Sequence, residues 1–116
     1  MSLRVQRSEW FIGDLEHYAA WYDREAGWGI AERYLAAVAA TLARLAEIPT
    51  LGHGTNFDAV ELRGLRCLPV RKPFQKHRIF YRHDETMISA ERAVHGARDL
   101  PGRLLQPPGS EADKQK

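Results

Sequence analysis

The chain has 116 residues, the size of one domain, and a formal net charge of +2 at pH 7. Its single cysteine excludes an internal disulfide and a cysteine-rich zinc site. No apolar run approaches the roughly 18 residues of a membrane span, and the first residues contain no secretory apolar segment, so we expect a cytoplasmic protein.

The first half of the chain predicts a short strand and a helical hairpin. Apolar and polar residues alternate over residues 3–7, as in a strand. Ser8 can cap the helix that follows, whose apolar side chains recur at intervals of three and four residues. Gly27 and Gly29 interrupt this pattern, and a second apolar helix continues from there until Pro49 stops it.

The second half of the chain changes to the period of two that is typical of strands. The pattern predicts strands over residues 62–70, 77–82 and 87–95. Pro69 has no amide proton, so the first of these strands requires an edge position or a bulge at that point. Residues 98–105 predict a short terminal helix of one or two turns.

The order of these elements, β-α-α-β-β-β, predicts the fold class. A sheet with one apolar face, covered by a helical hairpin, is a stable two-layer α+β arrangement. We therefore expect a single domain over residues 1–105 with an antiparallel-rich sheet. Residues 106–116 predict a polar tail, because they contain few side chains that a core could bury.

Positive charge is concentrated in the second half of the chain. Residues 1–58 contain five basic and eight acidic side chains, whereas residues 59–104 contain ten and five. A basic tract between Leu62 and His83 has seven basic residues and no acidic one. Its members are Arg63, Arg66, Arg71, Lys72, Lys76, Arg78 and Arg82. Such a tract indicates either a solvated face or a binding surface for an anionic partner.

The first predicted helix carries a second stripe of side chains beside its apolar face. Trp10, His17 and Trp21 lie together on this stripe when residues are placed at about 100° intervals. The stripe is either part of a wide buried face or a half-exposed groove for a partner, since tryptophan is frequent at the centres of interfaces. An acidic, amphipathic helix would fit such a groove.

One arginine falls on the apolar face of the last predicted strand. Strict alternation places Arg92 with Ile88, Ala90 and Val94. An arginine in that position requires a partner, because an unpaired buried charge is unfavourable. The candidate partners are a carboxylate, Asp14 or Asp99, or alternatively a ligand at the end of the sheet.

A series of motifs occurs in order along residues 3–104. They are Leu42-x-x-Leu45-x-x-x-Pro49-x-x-Gly52, Leu62-Arg63-Gly64, Leu68-Pro69-Val70, His77-Arg78-Ile79-Phe80-Tyr81-Arg82 and Arg92-Ala93-Val94-His95-Gly96-Ala97-Arg98-Asp99-Leu100. In residue type and spacing they resemble the RelE/ParE superfamily of bacterial toxins, and the ParE branch most closely. The resemblance implies the toxin of a type II toxin–antitoxin system, neutralised by a cognate ParD-like antitoxin that is encoded beside it.

The resemblance also implies a target, with alternatives. ParE-like members are associated with inhibition of DNA gyrase and with plasmid stabilisation, so gyrase is the expected target. RelE-like members cut messenger RNA on the ribosome, which makes a ribosome-dependent endoribonuclease the first alternative. A non-toxic domain of the same fold that only binds an antitoxin is the second.

The residue types for RNA cleavage occur around the last predicted strand. Attack by a 2′-oxygen requires a base, an acid and a cation at the phosphate. The candidates are His95, Arg98, Arg92 and Tyr81. Asp99 beside Arg98 weakens the field that a phosphate needs, and the dense terminal cluster of RelE-like nucleases is missing. We expect no catalytic residue, no cofactor and, from the histidine spacing, no metal site.

Overall fold

The computed structural model describes residues 2–96 and 98–110. Within these ranges the chain forms five strands, three α-helices and one 3-10 helix. In chain order they are β1 (Arg4–Arg7), α1 (Glu9–Ala26), α2 (Trp28–Glu47), β2 (His53–Gly54), the 3-10 helix (Val60–Leu62), β3 (Arg66–Pro69), β4 (His77–His83), β5 (Met87–His95) and α3 (Leu100–Leu104). The predicted α+β fold, with a helical hairpin inserted after the first strand, is confirmed.

The strands form one mixed sheet in the order β1-β5-β4-β3-β2. β1 runs parallel to β5, and the other neighbouring strands are antiparallel. The sequence pattern does not predict β2, because two residues are too few to show a period. Pro69 pairs with Arg78 of β4 but lies past the end of β2, so it has the edge position that a strand proline requires.

β3 is shorter than predicted. Residues 62–70 alternate like a strand, but their first residue ends the 3-10 helix and only the last part is extended. Gly64 lies between the two with a φ of 81°, in the left-handed region that favours glycine. Leu62 and Leu65 are still buried, because both pack against the face of the sheet that is opposite the hairpin. Their burial explains why the pattern resembles a strand.

Two hydrophobic clusters lie on opposite faces of the sheet. The larger cluster fills the space between the sheet and the hairpin, where Ile79 and Tyr81 of β4 are completely buried. The smaller cluster lies on the other face, which α3 and the 3-10 helix cover. Its members are Leu62, Leu65, Cys67, Phe80, Val94 and Leu104. Burial raises the pKa of the Cys67 thiol, which packs here as a small apolar side chain.

The helical hairpin forms as its capping residues predict. The Ser8 hydroxyl oxygen accepts a hydrogen bond from the amide of Phe11 at 3.0 Å, at the start of α1. Gly27 alone separates α1 from α2, and its φ of 94° requires a residue without a Cβ atom. Ala31 and Ala37 of α2 are buried, and their small side chains allow neighbouring elements to lie close to this helix.

β5 contains a bulge that changes which side chains face the hairpin. The register with β4 shifts at Glu91, which is the extra residue. Ala90, just before the bulge, belongs to the cluster under the hairpin, whereas Arg92 and Val94 lie on the opposite face. The predicted placement of Arg92 on one face with Ala90 is therefore wrong, because strict alternation does not allow for the inserted residue.

Residues 106–110 cross back over α1, although the sequence assigns them to the polar tail. The Gln106 carbonyl accepts a hydrogen bond from the guanidinium of Arg92 at 2.6 Å. Pro108 lies over Gly13 so closely that a Cβ atom there would come within 2.8 Å of the proline ring. This segment is part of the folded domain. Residues 111–116 lie outside the described residues, and for them the tail stays a prediction.

Candidate functional site

The seven residues of the basic tract do not form one surface. Arg66 and Arg82 direct their guanidinium groups at the chain itself. Arg66 Nε lies 3.0 Å from the carbonyl oxygen of Gly52, and Arg82 Nη2 lies 2.9 Å from that of Arg63. Arg82 also forms an ion pair with Glu91. The other members of the tract are exposed or half-buried: Arg63, Arg71, Lys72, Lys76 and Arg78.

Two of the exposed cations meet a third one from α2. Arg71 and Lys72 follow β3 in the turn that leads to β4, and Arg33 lies on α2. The three side chains border a shallow cavity of about 260 Å³, which we call the basic notch. Its remaining lining is apolar or small: Ala36, Ala37, Pro73 and Phe74.

The walls of the basic notch are fixed by contacts between α2 and the β3–β4 turn. The Thr41 hydroxyl accepts a hydrogen bond from the amide of Arg71 at 3.1 Å and donates one to the carbonyl of Ala37 at 2.8 Å. Phe74 packs edge-on against the ring of Tyr34, with 5.7 Å between the ring centroids. Both walls are therefore held by buried or half-buried groups.

Arg92 is buried, and its guanidinium group is saturated with acceptors. Nε and Nη2 donate to the two carboxylate oxygens of Asp14, each at 2.8 Å. Nη1 donates to the backbone carbonyls of Arg103, Leu104 and Gln106. Of the candidate partners of Arg92, the one that the structure shows is therefore Asp14. Burial raises the pKa of Asp14, and the hydrogen bonds from Arg92 oppose that rise.

The start of α1 closes the edge of β5 where β1 ends. β1 pairs with β5 only as far as Ala90. Beyond that point the Ser8 amide donates to the Ala90 carbonyl at 3.0 Å, and the Ser8 hydroxyl donates to the Glu91 carbonyl at 2.9 Å. An Asp14 carboxylate oxygen accepts from the amide of Ala93 at 2.8 Å. Ser8 and Asp14 thus take the place of a neighbouring strand and form hydrogen bonds with the backbone of Ala90, Glu91 and Ala93 at this edge.

The other ribonuclease candidates have separate environments. Tyr81 is completely buried, and its hydroxyl donates to the Pro49 carbonyl at 2.7 Å and accepts from the Gly52 amide at 3.0 Å. His95 is exposed at the end of β5, and partial burial together with two nearby cations lowers its pKa. Arg98 is exposed before α3. Tyr81 and the buried arginine thus serve the fold, and only His95 and Arg98 reach the surface.

A buried histidine lies in an aromatic cluster between the hairpin and the end of the sheet. The Nε2 atom of His77 is 2.8 Å from the hydroxyl of Tyr22. The rings of Tyr34 and His95 are centred 4.6 Å and 4.7 Å from the His77 ring. Burial, with a smaller contribution from His95, lowers the pKa of His77 to about 3. The His77 imidazole is therefore neutral at pH 7.

The tryptophan stripe of α1 is half exposed. Trp10 and Trp21 have 41% and 45% of their surface accessible, so the first of the two alternatives, a wide buried face, is wrong. The ring of Trp10 lies against the Arg92 guanidinium, 5.1 Å from its carbon atom. Between the two tryptophans the chain covers its own helix, since Gly109 approaches the His17 ring. The stripe is thus interrupted and does not form one open groove.

A larger cavity, of about 540 Å³, opens on the face of the sheet that is opposite the hairpin. Leu62, Leu65 and Leu104 form its apolar floor, and Trp10 stands at its border. Three glutamates and several neutral polar residues also line it: Glu9, Glu61, Glu91, Gln6, Ser8 and Ser89. The Glu91 carboxylate is already paired with Arg82.

Residues 2–96 and 98–110 contain no group of three or more histidine, cysteine, aspartate or glutamate side chains placed to hold a metal ion. In the same part of the chain, no helix has both the length and the apolar character that crossing a membrane requires.

Comparison with known proteins identifies the family. The profile described as "ParE toxin of type II toxin-antitoxin system, parDE" matches residues 5–100, which is most of the chain. The chain belongs to the ParE toxin family. The resemblance that the motifs indicate is therefore confirmed. No curated protein sequence matches this ParE toxin.

A solved structure shares the fold of this ParE toxin. It is a chain of the chromosomal ParDE TA system from P. aeruginosa, with a TM-score of 0.66 and 14% sequence identity. The match covers 83% of the present chain and 98% of that chain. At this identity the similarity supports the α+β fold and leaves the individual site residues to be argued from their own contacts.

The sequence of this ParE toxin did not lead us to predict Arg33 as part of the basic notch. Arg33 belongs to the acidic first half of the chain and lies far in sequence from Arg71 and Lys72. The local signal is its spacing on α2, because Ala36 and Ala37 follow Arg33 by three and four residues and lie on the same side of the helix, where all three line the notch. Its proximity to the basic tract depends on how α2 packs against the β3–β4 turn.

Proposed function

We propose that this ParE toxin inhibits growth by binding DNA gyrase in the cytoplasm and is neutralised by a cognate ParD-like antitoxin. One observation favours binding over catalysis: the polar groups of Arg92 and Tyr81 form hydrogen bonds within the fold. Arg92 binds the Asp14 carboxylate, and the Tyr81 hydroxyl binds the backbone of Pro49 and Gly52. An acid–base mechanism would need such groups free at the phosphate. Maintenance of a plasmid that encodes both proteins would be one use of the pair.

The surfaces available for the two partners are of two kinds. Exposed cations supply one, and here Arg63, Arg71, Lys72, Lys76 and Arg78 are the better candidates. Arg66 and Arg82 contribute mainly to the fold, since both bind backbone carbonyls. Half-exposed aromatic side chains are the other kind: Trp10 and Trp21 are the exposed members, and His17 lies between them beside Gly109. Aromatic anchors contribute affinity, whereas exposed charges contribute chiefly association rate and specificity.

The proposed target is tested by gyrase supercoiling with purified toxin. We expect inhibition that increases with toxin concentration and disappears when one equivalent of the antitoxin encoded beside the toxin is added. Growth should stop on induction of the toxin alone. Undisturbed growth combined with a stable antitoxin complex would instead identify a non-toxic antitoxin-binding domain.

A ribosome-dependent endoribonuclease is the second candidate, and His95 is the residue that favours it. The lowered pKa of His95 keeps its imidazole neutral at pH 7, as a general base requires. We expect the His95→Gln toxin to retain toxicity within about tenfold, because loss of a true general acid or base costs about 10²–10⁴-fold. Site-specific messenger RNA cuts that vanish in His95→Gln would favour the nuclease.

A further inference from the structure

We propose that the basic notch binds an acidic segment of the antitoxin, with carboxylates on Arg33, Arg71 and Lys72 and one apolar side chain between them. The assignment rests on the proposed function in requiring an antitoxin. It goes beyond that function by choosing one site among the exposed cations and by stating the chemistry of the segment that occupies it.

The charges of the notch are the first reason. In the described part of the chain, none of the three cations lies within 4.0 Å of a carboxylate oxygen, since the ion pairs found there belong to Arg82 and Arg92. Among the described residues that line the notch, none is acidic. Three like charges around one cavity repel each other, and a bound anion would relieve this repulsion. Arginine binds carboxylates through two parallel hydrogen bonds.

The lining between the cations is the second reason. Ala36, Ala37 and Pro73 present small apolar surfaces, and Phe74 closes the floor. A volume of about 260 Å³ is below the roughly 300 Å³ at which cofactor pockets begin, so the notch fits a side chain better than a cofactor. An apolar side chain flanked by carboxylates would match both the floor and the border.

The same lining argues against nucleic acid as the occupant. Single strands bind where bases can stack on exposed aromatic rings, but Phe74 is only 8% exposed and its ring packs against Tyr34. Phosphate contacts alone need cations and gain nothing from an apolar floor. An acidic protein segment uses both parts of the notch.

The backbone and the floor of the notch are held in place by contacts within the toxin. Thr41 ties Arg71 to α2 through its backbone, and Phe74 is held by the aromatic cluster. On the toxin side the ordering cost of binding is therefore confined to the three cationic side chains, and the rest falls on the partner segment. This arrangement suits an antitoxin segment that folds only on binding.

The test measures the Kd of the complex with the full-length antitoxin encoded beside the toxin, at about 0.1 M salt. In the first variant Arg33, Arg71 and Lys72 are all changed to glutamate. The matched control carries the same change in net charge on exposed residues outside the notch: Arg4→Glu, Arg24→Glu and Arg44→Glu. Far-UV circular dichroism and melting curves verify that each variant is folded.

We expect the notch variant to raise Kd by about 30-fold or more and the control by about threefold or less. Charges that converge on the bound segment affect affinity more strongly than exposed charges elsewhere on the surface. Ala36→Leu fills the notch without changing its charge and should raise Kd by about tenfold. Equal effects of the notch variant and the control would overturn the assignment. An unchanged Kd for Ala36→Leu would overturn the proposal that an apolar side chain of the antitoxin enters the notch.

Two further readouts separate this assignment from its rivals. If a labelled DNA duplex binds the wild-type toxin and the notch variant loses only that binding, the notch is a phosphate surface and the proposal is overturned. If the wild-type toxin forms no antitoxin complex at all, the proposed function itself fails. If the wild-type toxin forms the complex and the notch variant binds with the same Kd, the proposed function stands and only the assignment of the notch as the binding site is overturned.

Discussion

Removal of the Asp14 carboxylate should severely destabilise the protein. Asp14 accepts three hydrogen bonds of 2.8 Å, two from Arg92 and one from the amide of Ala93. In Asp14→Ala the guanidinium stays buried without its counterion, which costs about 3–5 kcal/mol. The Ala93 amide also loses its acceptor, and a buried unsatisfied donor costs about 1–3 kcal/mol. Because such terms are not additive, we expect a total loss of about 4 kcal/mol.

A loss of that size is a large part of the 5–15 kcal/mol that holds a domain of this kind together. It corresponds to a fall in Tm of roughly 15 °C. Urea unfolding followed by circular dichroism measures the free energy directly. Asp23→Ala, which removes an exposed carboxylate from the same helix, is the matched control and should change stability by less than about 0.5 kcal/mol.

The double variant Asp14→Ala/Arg92→Met separates the ion pair from the rest of the site. With both charges gone, no uncompensated ion remains, so the double variant should be more stable than Asp14→Ala alone. It should stay below the wild type, since the carbonyls that Arg92 binds also lose their donor. Stability of Asp14→Ala within about 1 kcal/mol of the wild type would refute the reasoning, because it would mean that the guanidinium finds water or another acceptor.

Three further outcomes are expected. His77 takes up a proton below about pH 6.5 in the unfolded chain but only near pH 3 in the folded protein, so the free energy of unfolding falls by about 1.4 kcal/mol per pH unit as pH decreases through that window. Between pH 7 and pH 5, the free energy of unfolding measured by urea titration should therefore fall by about 2 kcal/mol less in His77→Phe than in the wild type. Trp21→Ala should change stability by less than about 1 kcal/mol but weaken antitoxin binding by about 1–3 kcal/mol in calorimetry, and an unchanged affinity would remove Trp21 as an anchor. Truncation after residue 105 should lower stability by about 1–2 kcal/mol through loss of the Gln106 acceptor, whereas truncation after residue 110 should leave both stability and toxicity unchanged.

The hairpin and the two long strands could be predicted because each repeats its pattern over many residues. α1 and α2 are bounded by Ser8, by Gly27 and by the stop before Pro49, all of which act through local backbone chemistry. β4 combines branched and aromatic residues over seven positions, and in the nine-residue β5 the apolar Ile88 and Ala90 alternate with Ser89 and Glu91. Elements of this length carry their own signal, so their tertiary surroundings only confirm what the local pattern predicts.

The missed features depend on contacts between distant residues. β2 has two residues and forms only because it pairs with Cys67 and Arg66 of β3. The bulge at Glu91 is a property of the register with β4, and no single strand shows it. Gly64 turns the chain within the apolar stretch of residues 62–70, and Leu62 and Leu65 on either side of it are buried against the face of the sheet that α3 covers.

The same division governs the site. Arginine content marked the basic tract, but content does not distinguish a guanidinium that faces a partner from one that binds the chain's own carbonyls. Arg66 at 3.0 Å from the Gly52 carbonyl is of the second kind, whereas Arg71 forms no ion pair among the described residues and is proposed above to be of the first. A substitution at Arg66 that lowers antitoxin binding would therefore report on the stability of the loop between α2 and β2. Substitutions in the basic notch change surface charge while the core contacts of Thr41 and Phe74 stay in place, and for this reason loss of binding there can be assigned to the interface itself.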